Sequence, residues 1–280
     1  MMMEFGDKTV YFSGPKVMGI INMTPDSFSD GGKINSIDKA LQQAERMINA
    51  GATFIDIGGE STRPGAAEVL LEEELSRVIP IIRAINSELD TIISIDTSKP
   101  EVMVQAVNAG AKLINDVRAL RSDGALNTAA SLAKKKNIPT CIMHMKGEPN
   151  NMQDQPEYDS VVESILDFFR EKINTLTSAG FRYNQIMLDP GFGFGKTRDH
   201  NFQLLKHFVS FTQFDLPVLA GMSRKSMIGD VISKSVDERV FGDVAAHTIA
   251  ALHGASVLRV HDVEAVIDAA KLVDKMNSVE

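Results

Sequence analysis

Ile92-Ile-Ser-Ile-Asp96, then Thr97-Ser-Lys-Pro-Glu-Val-Met-Val-Gln-Ala-Val-Asn-Ala-Gly110, then Ala111-Lys-Leu-Ile-Asn-Asp116 is the stretch that decides the fold. Its outer pieces are short apolar runs that end in polar side chains. Runs without a polar face suit strands buried on both sides, as in a parallel sheet. The middle piece places Met103, Ala106 and Val107 at helical spacing. Ser98 and Glu101 predict a capping box at its start, and Gly110 a left-handed stop at its end.

The same unit repeats outward in both directions. Ile37, Leu41, Ala44 and Ile48 mark a helix that stops at Gly51, and the passage Ala50-Gly-Ala52 matches Ala109-Gly-Ala111. Gly180 and Gly254 occupy similar junctions. Strands are expected at Val17–Asn22, Phe54–Ile57, Ile92–Asp96, Leu113–Asp116, Thr140–Met145, Ile186–Asp189, Val218–Gly221 and Val257–His261. Eight strands alternating with helices over about 250 residues predict a closed (β/α)8 TIM barrel rather than an open sheet. A short N-terminal β-hairpin before residue 17 would plug the bottom of the barrel. Residues 1–280 are read as a single domain.

Composition narrows the partners. The 280 residues carry a formal charge of −8, which leaves no basic excess for nucleic acid. Cys141 is the single cysteine, so no internal disulfide and no thiolate metal cage can form. The first residues are too few and too polar for a signal peptide, and no apolar run reaches spanning length. A cytoplasmic protein without nucleic-acid or membrane partners is expected.

In such barrels chemistry sits at the C-terminal ends of the strands. Here those ends carry Asn22, Asp56, Asp96, Asn115, Asp116, His144, Asp189, Ser223 and His261, and the loops add Arg63, Lys225 and Arg259. One aspartate after a strand is ordinarily a helix cap. A whole rim of them, with cations between, predicts a ligand with a donor-rich end and an anionic end. Gly191-Phe-Gly-Phe-Gly195-Lys196-Thr197 is one residue short of a Walker loop and is not a dinucleotide fingerprint. Its glycines instead suggest backbone passing close to a flat ligand.

Eight segments in order carry a family resemblance: Asn22-Met-Thr-Pro-Asp-Ser-Phe-Ser-Asp-Gly-Gly32, Asp56-Ile-Gly-Gly-Glu-Ser-Thr-Arg-Pro-Gly65, Ser94-Ile-Asp-Thr-Ser-Lys-Pro100, Ile114-Asn-Asp116, Met143-His-Met145, Leu188-Asp-Pro-Gly-Phe-Gly-Phe-Gly-Lys196, Gly221-Met-Ser-Arg-Lys-Ser226 and Arg259-Val-His261. Nearly the whole chain thus resembles the dihydropteroate synthase family, with no departure at a motif position. The resemblance implies condensation of 6-hydroxymethyl-7,8-dihydropterin pyrophosphate with p-aminobenzoate, with pyrophosphate leaving first to give a pterin-stabilised cation that the arylamine then attacks.

It also implies a role for each site residue. Asp96, Asn115, Met143, Asp189, Phe194, Lys225 and Arg259 would hold the pterin, with Asp96, Asp189 and Lys225 catalytic. Asn22, Arg63, Arg259 and His261 would meet the pyrophosphate, Asn22 through Mg²⁺. Phe28, Thr62, Pro64, Phe194 and Ser226 would receive p-aminobenzoate. The family further implies a homodimer through late helices, roughly residues 239–275, and competition by sulfonamides.

Other residues read as structural. Asp56 is expected to order neighbouring loops, His144 to be a satisfied structural histidine, and His247 and His253 to pack or face solvent. Phe192 reads as core, Cys141 as an inert buried thiol, and Glu72–Glu74 as a solvated helix start. Two rival readings are a pterin-binding methyltransferase barrel, opposed by Thr62-Arg63-Pro64 and Ser223–Ser226, and an inactive pterin carrier, opposed by the intact Lys225 and Arg259.

Overall fold

The computed structural model describes residues 1–23, 32–61, 66, 69–147, 152 and 156–279. An antiparallel hairpin, β1 (Met2–Phe5) and β2 (Lys8–Tyr11), precedes eight parallel strands. These are β3 (Lys16–Asn22), β4 (Phe54–Gly58), β5 (Ile92–Asp96), β6 (Leu113–Asp116), β7 (Thr140–Met143), β8 (Ile186–Asp189), β9 (Leu219–Ala220) and β10 (Val257–Val260). Helices α1 (Gly32–Ala50), α2 (Leu71–Glu88), α3 (Pro100–Ala109), α4 (Ala125–Lys136), α5 (Val161–Ser178), α6 (Arg198–Lys206), α7 (Ser226–Ile232), α8 (Val240–Leu252) and α9 (Val263–Asn277) lie between and after them.

The ladder runs β8-β7-β6-β5-β4-β3-β10-β9, and one parallel bridge, Leu188 to Val218, joins its two ends. The expected barrel therefore forms, with a short hairpin at its N-terminus. Two strands are shorter than expected. β7 stops at Met143, where His144 leaves the ladder after one backbone bond to the Asp189 carbonyl at 2.9 Å. β9 keeps two residues, because Pro217 cannot donate to a ladder.

Strand alternation sorts the side chains. Outward positions such as Ile55, Ile57, Ile93, Ile95, Ile114 and Leu258 join one large apolar core beneath the helices. Inward positions near the strand starts, namely Met18, Phe54, Ile92, Leu113, Cys141, Met187, Leu219 and Val257, form a second cluster. Met3, Phe5 and Val10 of the hairpin close that cluster from below, with the Phe5 and Phe54 rings edge to face at 5.2 Å. The bottom of the barrel is thus sealed, as the hairpin reading required.

Two local expectations are corrected. Ser98 does not cap α3; the cap position is Lys99, followed by Pro100, and the Ser98 hydroxyl donates to Asp116 instead. Proline at the first helical position needs no N–H partner, so the side chain is released for another use. The Glu72–Glu74 run does open α2, but Glu74 is buried and paired with Lys99 at 2.6 Å rather than solvated. Lys99 also reaches Glu60. Gly51 and Gly110 end their helices with positive φ, as expected.

Candidate active site

Above the sealed cluster, inward positions toward the C-terminal ends of the strands carry polar groups. Across β3, β4, β5 and β6, the register sets Asn22 against Gly58, Gly58 against Asp96, and Asp96 against Asn115. A Cβ at Gly58 would lie 3.6 Å from both the Asn22 Oδ1 and the Asp96 Cβ, so glycine here lets the amide and the carboxylate share one corner.

Arg259, inward on β10, ties the floor together. Its Nε donates to Asp56 Oδ2 at 2.7 Å and its Nη2 to Asp96 Oδ2 at 2.9 Å. Asp56 Oδ2 accepts a further bond from Asn115 Nδ2 at 3.3 Å, while its buried Oδ1 has no partner among the described residues. Asp56 therefore holds side chains of the site itself rather than neighbouring loops, which corrects the sequence reading. Burial works against the Arg259 charge, but Asp56 and Asp96 outweigh it and hold the guanidinium firmly protonated. For Asp96, burial outweighs Arg259, and with Asp56 nearby it raises the carboxyl to about 8.

The opposite wall comes from the loops after β8 and β9. Asp189 Oδ1 accepts the Gly191 N–H at 2.7 Å, folding the loop back on its own strand. Gly191 has φ +71° and a Cβ there would stand 2.0 Å from the His144 carbonyl oxygen. Gly193 has φ +80°, and a Cβ there would stand 3.2 Å from the Lys225 Cδ. Only glycine satisfies both demands at Gly191. The Lys225 ammonium donates to the Phe192 carbonyl and sits 4.6 Å above the Phe194 ring, a cation–π distance. Burial lowers Lys225 to about 8, against the pull of Asp189. Burial likewise raises Asp189, against Lys225. Met143 and Phe194 pack with Val117, Met145 and Met152 as the apolar side of the cavity.

Asp96, Asn115, Met143, Asp189, Phe194, Lys225 and Arg259 thus converge on one cavity. Asn22 stands at its edge and His261 continues from Arg259 at the end of β10. Ser226 opens α7 beside Lys225 and is exposed. Phe28, Thr62, Arg63 and Pro64 lie outside the described residues.

Several nearby residues behave as expected. His144 is buried, and burial with Lys196 beside it holds the ring neutral, lowered to about 2. Cys141 is buried, its thiol pushed up by that burial. Phe192 is core through its ring, although its carbonyl serves Lys225. His247 is buried packing, with Nδ1 2.7 Å from the Asp243 carbonyl, and His253 contacts the Leu205 carbonyl at 3.0 Å.

Sequence reasoning passed over Lys196. Its buried ammonium donates to the carbonyls of Gly191 at 2.8 Å and Phe194 at 2.9 Å, with His144 Nδ1 at 3.0 Å. It fixes the glycine loop from behind, a role its Walker-like setting concealed. Ser223 was noted only as a strand end, and Asp243 was not noted at all; their hydroxyl and carboxylate meet at 2.9 Å.

Comparison with known proteins agrees with this geometry. Residues 18–261 match the family described as "Pterin binding enzyme". The chain is 51% identical over 262 residues to the dihydropteroate synthase of Escherichia coli (strain K12), covering 94% of this chain and 92% of that one. It is 50% identical over 272 residues to the Haemophilus influenzae dihydropteroate synthase, covering 97% and 98%. The Yersinia pestis dihydropteroate synthase solved as a sulfonamide drug complex superposes with TM-score 0.94 at 50% identity, covering all of both chains. The Xanthomonas albilineans enzyme in complex with 7,8-dihydropteroate does so with TM-score 0.90 at 42% identity, again over all of both chains. The chain belongs to the pterin binding enzymes and, within them, to the dihydropteroate synthases, which makes it a transferase.

Proposed function

We propose that this cavity joins 6-hydroxymethyl-7,8-dihydropterin pyrophosphate to p-aminobenzoate, giving 7,8-dihydropteroate and pyrophosphate for folate biosynthesis. The observation that carries the assignment is the convergence of Asp96, Asn115 and Asp189 with Lys225 and Arg259 on one apolar-walled cavity. A pterin offers a 2-amino-pyrimidinone edge with parallel N–H donors, which a carboxylate such as Asp189 accepts in bidentate fashion. Asp96 and Asn115 meet the remaining ring groups, and Lys225 donates to ring acceptors. Arg259 stacks its guanidinium plane on the heterocycle, with Met143 and Phe194 packed around it.

The bond from the exocyclic methylene to the diphosphate oxygen breaks first, its electron pair leaving with the oxygen. Asp189, and Asp96 once it has given up its proton, offset the charge left on the pterin. The arylamine lone pair then forms the C–N bond, and the nitrogen gives up one proton. Arg63, Arg259 and His261 hold the departing diphosphate. Phe28, Thr62, Pro64, Phe194 and Ser226 hold p-aminobenzoate. Relatives solved with 4-aminobenzoic acid, a sulfonamide drug and 7,8-dihydropteroate support this substrate pair.

Asn22 offers an amide oxygen in the corner shared with Asp96, a donor that suits Mg²⁺. Among the described residues no group of three or more His, Cys, Asp or Glu could hold a metal, so substrate oxygens and water would complete the shell around Asn22. When bound, Mg²⁺ would neutralise charge on the leaving diphosphate. We further propose a cytoplasmic homodimer. Phe241 is 79% and Leu272 73% exposed, on α8 and α9, and a partner surface would cover both. Light scattering at working concentration checks the dimer, and a monomer would refute it.

The deciding experiment is a coupled assay of pyrophosphate release. Turnover that requires both the pterin pyrophosphate and p-aminobenzoate, without added corrinoid, supports the assignment; release from the pterin substrate at the same rate without the arylamine contradicts it.

A further inference from the structure

Ser223 stands between His261 and a buried carboxylate that no substrate contact explains. Asp243 belongs to the first turn of α8, twenty residues further along, and is 1% exposed. Its carboxylate accepts the Arg224 backbone N–H through Oδ2 at 2.9 Å and Oδ1 at 3.2 Å. An ionised carboxylate can only accept, so the Ser223 hydroxyl supplies the proton of their 2.9 Å bond. A hydroxyl has one proton. With that proton committed to Asp243, Ser223 Oγ can only accept from its other neighbours.

Both of those neighbours belong to His261. Its backbone N–H reaches Ser223 Oγ at 3.2 Å and its ring Nδ1 lies 3.1 Å from the same oxygen. For the ring contact to be a hydrogen bond, Nδ1 must carry the proton. The surrounding turn is held for this purpose. Arg224 adopts φ +62°, an unusual conformation for a side chain with a Cβ. Its carbonyl accepts from Arg239 Nη1 at 2.9 Å, and its guanidinium pairs with Asp262 at 3.1 Å.

We propose that Asp243 and Ser223 form a relay that fixes His261 as the Nδ1–H tautomer and turns Nε2 toward the diphosphate. Asp243 and Ser223 are then positioning residues, which touch no substrate and act through His261. The functional half rests on the reading of His261 as a diphosphate ligand; the tautomer does not. In the cationic ring, Nε2–H becomes a directed donor to the anion, while Nδ1–H remains engaged with Ser223.

The test begins with the unaltered enzyme. Uniformly ¹⁵N-histidine-labelled protein has only six imidazoles, and the His261 signals are identified by their loss in His261→Gln. Long-range ¹H–¹⁵N spectra of the neutral ring should show a protonated Nδ1 and a bare Nε2; the reverse pattern overturns the relay. Titration with inorganic pyrophosphate should shift the Nε2 signal. A ring that keeps the expected tautomer but ignores pyrophosphate overturns the diphosphate reading of His261 alone. In kinetics, Ser223→Ala should raise KM for the pterin pyrophosphate and Ki for product pyrophosphate about tenfold, leaving KM for p-aminobenzoate within twofold. Ser223→Thr, which keeps the hydroxyl, should recover most of the loss. Equal damage to both KM values, or no rescue by threonine, would show a merely structural role and overturn the proposal.

Discussion

Two pleats of the same strands fill the barrel interior in opposite ways. Near the strand starts, Met18, Phe54, Leu113, Cys141 and Met187 make a dry layer that the hairpin residues Met3 and Phe5 seal. One inward position further along, β4 presents Asp56, β6 presents Asn115, β8 presents Asp189 and β10 presents Arg259. The lower layer gains stability from burial and close packing. The upper layer gives some of it up: two carboxylates, Asp56 and Asp96, share one guanidinium, and Asp56 Oδ1 has no hydrogen-bond partner among the described residues. A buried ion cluster is a weak contributor to stability. Its persistence above a sealed hydrocarbon floor shows where the fold places its function. The lower layer also lends rigidity and low polarity to the charges above it, which strengthens their action on a ligand.

The sharpest break of this contrast is Lys225→Ala. We expect turnover to fall by roughly 10³-fold, with the melting temperature kept or slightly raised; pyrophosphate release and calorimetry read the two sides. Near-normal turnover would remove Lys225 from the chemistry. The mirror image is Phe5→Ala, in the dry layer. Removing the ring from under Phe54 should cost roughly 3–5 kcal/mol in a denaturant titration, while kcat of the folded enzyme stays within twofold. A large loss of kcat would mean that the layers are not separable.

Asp96 sharpens the comparison through pH. Its folded carboxyl is raised to about 8, so the folded state holds a proton that the unfolded chain releases near pH 4. More protons bound in the native state make stability fall as pH rises between these limits. Asp96→Asn should flatten that fall, seen as a smaller difference in melting temperature between pH 5 and pH 8 without substrate. An unchanged slope would assign it elsewhere. The smallest effect is expected from Cys141→Ala, below about 1.5 kcal/mol. Turnover should be unchanged, and the native thiol should resist maleimide until the protein unfolds.

The contrast also explains what was legible in the sequence. Strand runs and glycine stops are local, so all eight barrel strands begin within one residue of their expected positions, although β9 retains only Leu219 and Ala220. Asp96, Asn115, Asp189 and Arg259 were readable because they sit at strand ends, where a barrel collects them. Asp243 was not, since its partners Ser223 and Arg224 meet it only across the fold. Lys196 was obscured by a motif it nearly matches, and its function depends on carbonyls rather than on side chains that a pattern could reveal. Glu74 looked solvated because a helix start usually is; the tertiary partner Lys99 buried it.

The closure of the barrel between β8 and β9 has a mechanical consequence. Elsewhere the cylinder is stitched by ladders of two to five residue pairs, but here Leu188 and Val218 form one bridge, reinforced by the Leu188 N–H to the Pro217 carbonyl at 2.9 Å. Elastic strain in a hoop concentrates at its thinnest joint. Asp189 follows directly on one side of that joint and the Lys225 turn leaves from the other, so the spacing between these two groups is the softest dimension of the cavity. Thermal breathing of the hoop therefore opens and narrows the seat of the heterocycle first, and amides 218–220 should exchange with deuterium sooner than those of β4.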